Sequence, residues 1–320
     1  MASSTPRVLF WTLMALSWTL VASAAEARWR SADAKVHIMV DGIDRTYVVH
    51  APRMAQPAGG FPVVLAFHGG GGTAESMVRL TRLNDIADAR GLVIVYPDGI
   101  DRHWNDGRST IKNKTDDVAF VRALLDDVGR NYPIDRGRVF ATGISNGALF
   151  TQRLGCELAG EISAIAPVAG PMAADLASRC QPVRPVAVLQ IEGDADPIIP
   201  YNGGKVADFG GRGEGGLVLS TQETVALWGR MDGCTGRSPV ETLPPPQQAT
   251  PDGTQVTRMH FLGCHAGAQV VLLTILGGGH TWPGGPQYAP RFIIGKASSQ
   301  LDASATIVDF FLSDRSTGMP

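Results

Sequence analysis

The sequence predicts an α/β protein, a mostly parallel sheet in one domain with helices packed on both faces. Three observations carry this. Short, continuously apolar runs such as FPVVLAF (Phe61–Phe67), LVIVY (Leu92–Tyr96) and VVLLTIL (Val270–Leu276) have the length and composition of strands buried on both sides. Segments with helical spacing separate them, and strand–helix–strand alternation calls for parallel pairing. The least ordinary sequences are HGGGG (His68–Gly72), GISNG (Gly143–Gly147), EGDADP (Glu192–Pro197) and GGGHTW (Gly277–Trp282). Each follows a predicted strand, so all four converge on the carboxyl edge of the sheet, where such folds bind ligands.

The elements follow in order. Arg7 precedes the apolar run Val8–Val21 and two A-x-A sites, Ala22-Ser23-Ala24 and Ala25-Glu26-Ala27, which is the layout of a secretory signal removed after residue 24 or as late as residue 27. The run is short for the roughly 20 residues that cross a bilayer, and no cysteine stands near it for lipid attachment. The mature chain is therefore expected to be secreted or periplasmic and not held in a membrane. Its one domain is expected over residues 35–314. Lys35–Pro52 alternates as a hairpin around Asp41-Gly42. After the strand Phe61–Phe67, helical spacing through Met77, Leu80, Leu83, Ile86 and Ala87 predicts one helix ending at Gly91. Thr115-Asp116-Asp117 can cap the helix Val118–Pro133. Arg138–Ser145 is a strand and Asn146–Gly160 a helix. Ile162–Gly170, Val186–Asp194 and Gln269–Leu276 are further buried strands, and Asp302 caps a closing helix through Asp314. The Gly-rich stretch Gly203–Gly216 and the proline-rich Leu243–Pro251 are expected as surface loops.

Composition narrows the function. The chain has 320 residues, 44% hydrophobic content and a net charge of −2 without a long run of one sign, which excludes a nucleic-acid surface or a basic membrane patch. Export places Cys156, Cys180, Cys234 and Cys264 in an oxidising compartment. Four cysteines allow three pairings, and the sequence alone does not choose among them. The sequence-local pairing would close two loops of roughly 25–30 residues, each worth about 3–4 kcal/mol. No pair has C-x-x-C spacing, so zinc and dithiol redox roles are weak readings.

The chemistry gathers around Ser145. A serine hydroxyl is a poor nucleophile near neutral pH and needs a base within hydrogen-bond reach. Gly143-Ile144-Ser145-Asn146-Gly147 stands between a predicted strand and a predicted helix, the context of a sharp elbow that lifts the hydroxyl above the sheet. Of seven histidines, His260, His265 and His280 follow Ser145. His260 falls within a strand and His265 in a turn beside Cys264, whereas His280 follows a buried strand through three glycines and is the expected base. Asp194 and Asp196 lie past a strand end between serine and histidine; Asp196, deeper in the loop and followed by Pro197, is preferred as the group that orients the imidazole. The order Ser, Asp, His is that of the α/β-hydrolase fold. Oxyanion donors are expected from the backbone N–H of Asn146 and from Gly70 or Gly69. The glycine run lacks a following G-K-[S/T] and the G-x-G-x-x-G spacing, so phosphate and dinucleotide roles are excluded.

With these residues in hand, HGGGGT, YPDG…W, GISNGALF, DADPIIPYNGG and GGGHTWPGG resemble the exported esterases grouped as polyhydroxybutyrate depolymerase-like and feruloyl-esterase-like proteins, carbohydrate esterase family 1. The resemblance runs from about Lys35 to Leu312. It implies an α/β-hydrolase fold, no metal or organic cofactor, Ser145, Asp196 and His280 as the catalytic residues, and the local pairing Cys156–Cys180 and Cys234–Cys264. One departure is Glu192, where relatives commonly carry a histidine-glycine pair. Trp104, Tyr201 and Trp282, with His68, are expected to line a cleft suited to an aromatic ring or a flat acyl chain. The expected partner is a small or oligomeric ester: a feruloyl or other aromatic ester, a 3-hydroxybutyrate oligoester, or an acetyl group on xylan. The end of the chain soon after its last helix favours soluble esters. Acyl transfer on the same fold, and a non-catalytic carbohydrate-binding protein, are the competing classes.

Overall fold

A computed structural model describes Met1 and residues 34–208 and 213–313. The expected signal segment and its cleavage sites lie outside the described residues. The strands in chain order are β1 (Ala34–Val40), β2 (Ile43–His50), β3 (Phe61–Phe67), β4 (Val93–Pro97), β5 (Ile134–Ile144), β6 (Ile162–Val168), β7 (Ala187–Gly193), β8 (Gly204–Lys205), β9 (Leu217–Val218), β10 (Gly236–Arg237), β11 (Glu241–Thr242), β12 (Gln255–Leu262) and β13 (Val270–Leu276). The helices are α1 (Ala74–Thr81), α2 (Leu83–Arg90), α3 (Asp117–Asn131), α4 (Asn146–Glu157), α5 (Ala174–Ala177), α6 (Thr221–Met231), α7 (Arg291–Ile294) and α8 (Ala303–Leu312).

The main sheet runs β1-β2-β4-β3-β5-β6-β7-β13-β12-β10, with β11 also on β12. From β4 through β13 every neighbouring pair is parallel. The β1–β2 hairpin and β12 extend it antiparallel at the two edges. Strand alternation divides the core. Phe61, Val63, Leu65 and Phe67 of β3 face a layer built with α3, α4 and α6, where Phe120, Leu124, Phe150 and Trp228 are buried. Val64 and Ala66 face the opposite layer, with Met77, Leu83, Ile307 and Phe311 from α1, α2 and α8. Because β3, β5, β7 and β13 run parallel, their carboxyl ends reach the same edge, and the four unusual loops meet there.

Two expectations change. The helix expected through residue 91 is two helices: Arg82 takes a left-handed conformation (φ 53°), ends α1 through its N–H to Val78 O, and redirects the chain into α2. The break lets Met77 and Leu83 enter one core from different directions. α6 was not expected. Its start was legible, since Ser220 and Glu223 form a reciprocal capping box, but it directly follows the glycine-rich loop, which obscured it. The expected caps Gly91, Asp116 and Asp302 are all in place.

The disulfides are Cys156–Cys180 and Cys234–Cys264. The first ties the end of α4 to the segment after α5, the second the end of α6 to the turn after β12. Among the described residues no helix is long and apolar enough to cross a membrane.

Candidate active site

The elbow at Ser145 is built as its sequence requires. Ser145 sits at φ 59°, ψ −124°, a left-handed conformation that costs a non-glycine residue energy and is held by the surrounding packing. Its N–H donates to Val168 O and its carbonyl accepts from Leu149 N, so both backbone groups are used in leaving β5 and starting α4. Serine is a favoured helix cap, yet this hydroxyl makes no capping bond. The flanking glycines answer close approach: a Cβ at Gly143 would stand 2.5 Å from Gly147 O, and one at Gly147 would overlap the carbonyls of Phe67 and His68.

The loop after β7 places Asp196. Its Oδ1 accepts from the N–H groups of Ile198 (2.7 Å) and Ile199 (2.9 Å), and its Oδ2 lies 2.6 Å from Nδ1 of His280. Both side chains are buried. With Nδ1 protonated, the imidazole donates to Asp196 and leaves Nε2 as an acceptor. The backbone of His280 is fixed by its N–H to Ile294 O and by Tyr288 Oη donating to its carbonyl (2.7 Å). Asp194 does something different: it is exposed, and its Oδ1 accepts from Gly277 N, pinning the glycine approach to His280. Ser145 and His280 line one cavity of about 530 Å³ together with Gly69, Gly70 and Asn146.

The expected donors also meet there. A Cβ on Gly69 would touch Cβ of Ser145 at 3.3 Å, and one on Gly70 would lie 3.8 Å from Cβ of Asn146. The turn uses Gly71 N–H on Arg102 O and Gly72 N–H on Gly69 O; among the described residues the N–H groups of Gly69 and Gly70 have no such acceptor. Asn146 is the first residue of α4, and the N–H of a first helical turn has no partner within its helix.

The aromatic wall is corrected. Trp104 is fully buried, stacked on Phe150, and its Nε1 donates to His68 O; it supports the glycine loop from beneath. His68 is buried too. Its Nε2 accepts from Gly99 N–H and its Nδ1 donates to Gly69 O, and burial pushes its pKa down and keeps the ring neutral. Trp282 is buried against α8, donating to Ser304 Oγ. Tyr201 bonds to Thr274 and lines a separate cavity of about 460 Å³. None of the four lines the cavity at Ser145. Its walls are instead aliphatic, from Leu80, Ile144, Ile198, Ile199, Val206 and Ile294, with His103, Arg108, Glu214 and Tyr288 as polar points. These residues come from six separated segments, and no local pattern marks them.

Glu192 is buried beside this site. Its Oε1 accepts from Gly170 N (2.7 Å) and Gln190 Nε2 (2.5 Å), while Oε2 has no partner. Burial first, then the charge of Asp196, pushes its pKa up to about 8.

No family model matches the chain. NocK of Nocardia uniformis subsp. tsuyamanensis, a protein that carries the name of an esterase, is 35% identical over 284 residues, 86% of this chain and 81% of that one. Feruloyl esterase B of Piromyces equi is 28% identical over 225 residues, 68% of this chain. The chain belongs to the feruloyl-esterase-like esterases. This esterase spans 39% of the length of the Piromyces enzyme. Among solved structures, the acetyl xylan esterase from Aspergillus awamori matches 78% of the esterase and 94% of its own chain with a TM-score of 0.54 at 15% identity, a likeness of the α/β-hydrolase fold.

Proposed function

We propose that this esterase is an exported serine hydrolase working through Ser145, His280 and Asp196. One observation carries the reading: Ser145, on a strained elbow with its hydroxyl free of capping, shares a cavity with a histidine whose Nδ1 is held 2.6 Å from a buried aspartate.

In this mechanism Oγ of Ser145 attacks the ester carbonyl carbon as its proton passes to Nε2 of His280. Asp196 holds Nδ1–H, fixing the tautomer and stabilising the imidazolium that forms. The developing alkoxide is received by the N–H of Asn146 and that of Gly69 or Gly70. Collapse expels the alcohol, which takes the proton from Nε2, and leaves an acyl-serine. Water, deprotonated by the same Nε2, attacks the acyl carbon and repeats the sequence to release the acid and restore Ser145.

For the acyl group, the names of the relatives support feruloyl-type esters. The aliphatic lining favours a second reading, an unbranched or hydroxylated aliphatic acid as in 3-hydroxybutyrate oligoesters. Two disulfides suit an oxidising compartment and support export. The deciding experiment compares kcat/KM on methyl ferulate and on a 3-hydroxybutyrate trimer, with Ser145→Ala as blank. Ser145→Ala is expected to lower kcat by about 10⁴–10⁶ with an unchanged melting temperature; a folded, active variant overturns the serine mechanism. Preference for ferulate selects the first acyl reading, preference for the trimer the second.

A further inference from the structure

The first oxyanion donor belongs to a residue whose side chain is wholly engaged. Asn146 Oδ1 accepts from Trp104 N (2.8 Å), and its Nδ2 donates to Trp104 O (3.0 Å) and to Asp106 Oδ2 (2.7 Å). Asp106 is fully buried. Such a charge is tolerated only when paired and hydrogen-bonded. Its counterion is Arg108, 4% exposed, whose Nε reaches both carboxylate oxygens at 3.1 Å and whose Nη2 reaches Oδ2 at 2.7 Å. Nη1 of Arg108 then donates to Gly215 O, and the side chain itself lines the catalytic cavity. A continuous polar chain therefore runs from the residue after the nucleophile, through a buried ion pair, to Gly215, next to the lining residues Gly213 and Glu214. The segment 102–108, which carries the ion pair, also holds the opposite donor loop, through Gly71 N–H to Arg102 O and Trp104 Nε1 to His68 O.

A buried ion pair is weak as a stabilising device, since well-packed apolar residues often do as well or better. Its defensible use is to fix one arrangement. From this geometry we infer that Asp106 and Arg108 are positioning residues for ester hydrolysis: the pair locks Asn146 so that its N–H points to the oxyanion, and ties that donor to the wall beside the acyl group. Neither residue reacts; both act through Asn146.

The inference rests on the serine reading, and the two fail differently. Asp106→Asn keeps the shape and an acceptor for Asn146 but removes the fork. It is expected to lower kcat by about 10- to 100-fold with KM within about threefold, short of the roughly 10²–10³ for outright removal of an oxyanion donor because the Asn146 N–H is misaimed and not lost. Affinity for phenylboronic acid, whose boron bonds to Ser145 Oγ and becomes a tetrahedral mimic, should fall by the same factor. Adding Asp106→Asn to Asn146→Ala should cost no further activity, because both act on one element. If Asp106→Asn leaves Arg108 uncompensated and does not fold, the neutral pair Asp106→Asn with Arg108→Gln is measured in its place. Unchanged kcat in a folded variant, a loss confined to KM, unchanged boronate affinity, or additive losses would each overturn the positioning role. An inert Ser145→Ala beside any of those results leaves the serine reading standing; an active Ser145→Ala removes it.

Discussion

Replacing Glu192 by glutamine tests whether a buried carboxyl beside Asp196 holds its proton at neutral pH. Glu192 is fully enclosed at the end of β7, faces Gln190 and Gly170, and feels the charge of Asp196; its pKa stands at about 8 against 4.5 for the free side chain. Between those values the folded protein keeps a proton that the unfolded chain has released. Stability therefore falls as pH rises from about 4.5 to about 8 and is level above that. Each pH unit of the interval costs about 1.4 kcal/mol, so the loss is on the order of 3 kcal/mol by pH 7 and 5 kcal/mol above pH 8. Glutamine copies the protonated form: its Oε1 can accept from Gly170 and Gln190, and its amide replaces an oxygen that has no partner. Urea unfolding of both proteins at pH 5, 7 and 8.5 should show Glu192→Gln gaining stability over the parent by amounts that grow along that series. Asp232, pushed up to about 7 by burial, titrates in both proteins and cancels in the difference. Parallel curves, with a pH-independent offset, would refute the argument, since they would mean that Glu192 ionises alike in both states.

The remaining predictions concern the elbow, the acid loop and the disulfides. Asp196→Asn should lower kcat by about 10⁴, because the amide favours the wrong imidazole tautomer, while Asp194→Asn still accepts from Gly277 N and should stay within a few-fold in the same esterase assay. The reverse ranking would exchange their roles. Gly147→Ala should abolish activity or folding, as its Cβ overlaps the carbonyls of Phe67 and His68; near-normal kcat and melting temperature would show that the elbow relaxes easily. Converting Cys156 and Cys180 together to serine should destabilise the protein by about 3 kcal/mol, measured by urea unfolding, with kcat within about twofold. A selective loss of kcat in the folded variant would show that this bridge shapes the site.

Much was readable before the fold was known, for local reasons. Buried parallel strands need continuous apolar runs, tight exits need glycine, and helix starts need side-chain acceptors, so β3, β5, β7, β13 and the caps at Asp116 and Asp302 were visible in short windows. Chain order did the rest: once the strands are parallel, the loops at Ser145, Asp196 and His280 share one edge. The pairing of His280 with Asp196 and not Asp194 was legible too, because a residue deeper in the loop reaches farther over the sheet, and Asp196 Oδ2 lies 2.6 Å from Nδ1 of His280.

Where a side chain ends up relative to a cavity was not readable in this way. Trp104 and Trp282 stand beside the catalytic motifs, and large rings near such motifs suggest a substrate wall. Burial sends both inward, since indoles with a reachable acceptor gain more from the core than from a wet cleft. The actual lining is assembled from α1, the turn after Asp196, the segment around Val206, and the approach to α7. The Asn146–Asp106–Arg108 chain depends on the same long-range convergence, joining residues about 40 positions apart in the chain. Sequence alone determined the strands, the order of the loops and the residue types those loops bring to the sheet edge, because those depend on neighbours along the chain. The cavity walls and the buried ion pair were decided by packing, because they depend on which distant surfaces the crossovers bring into contact.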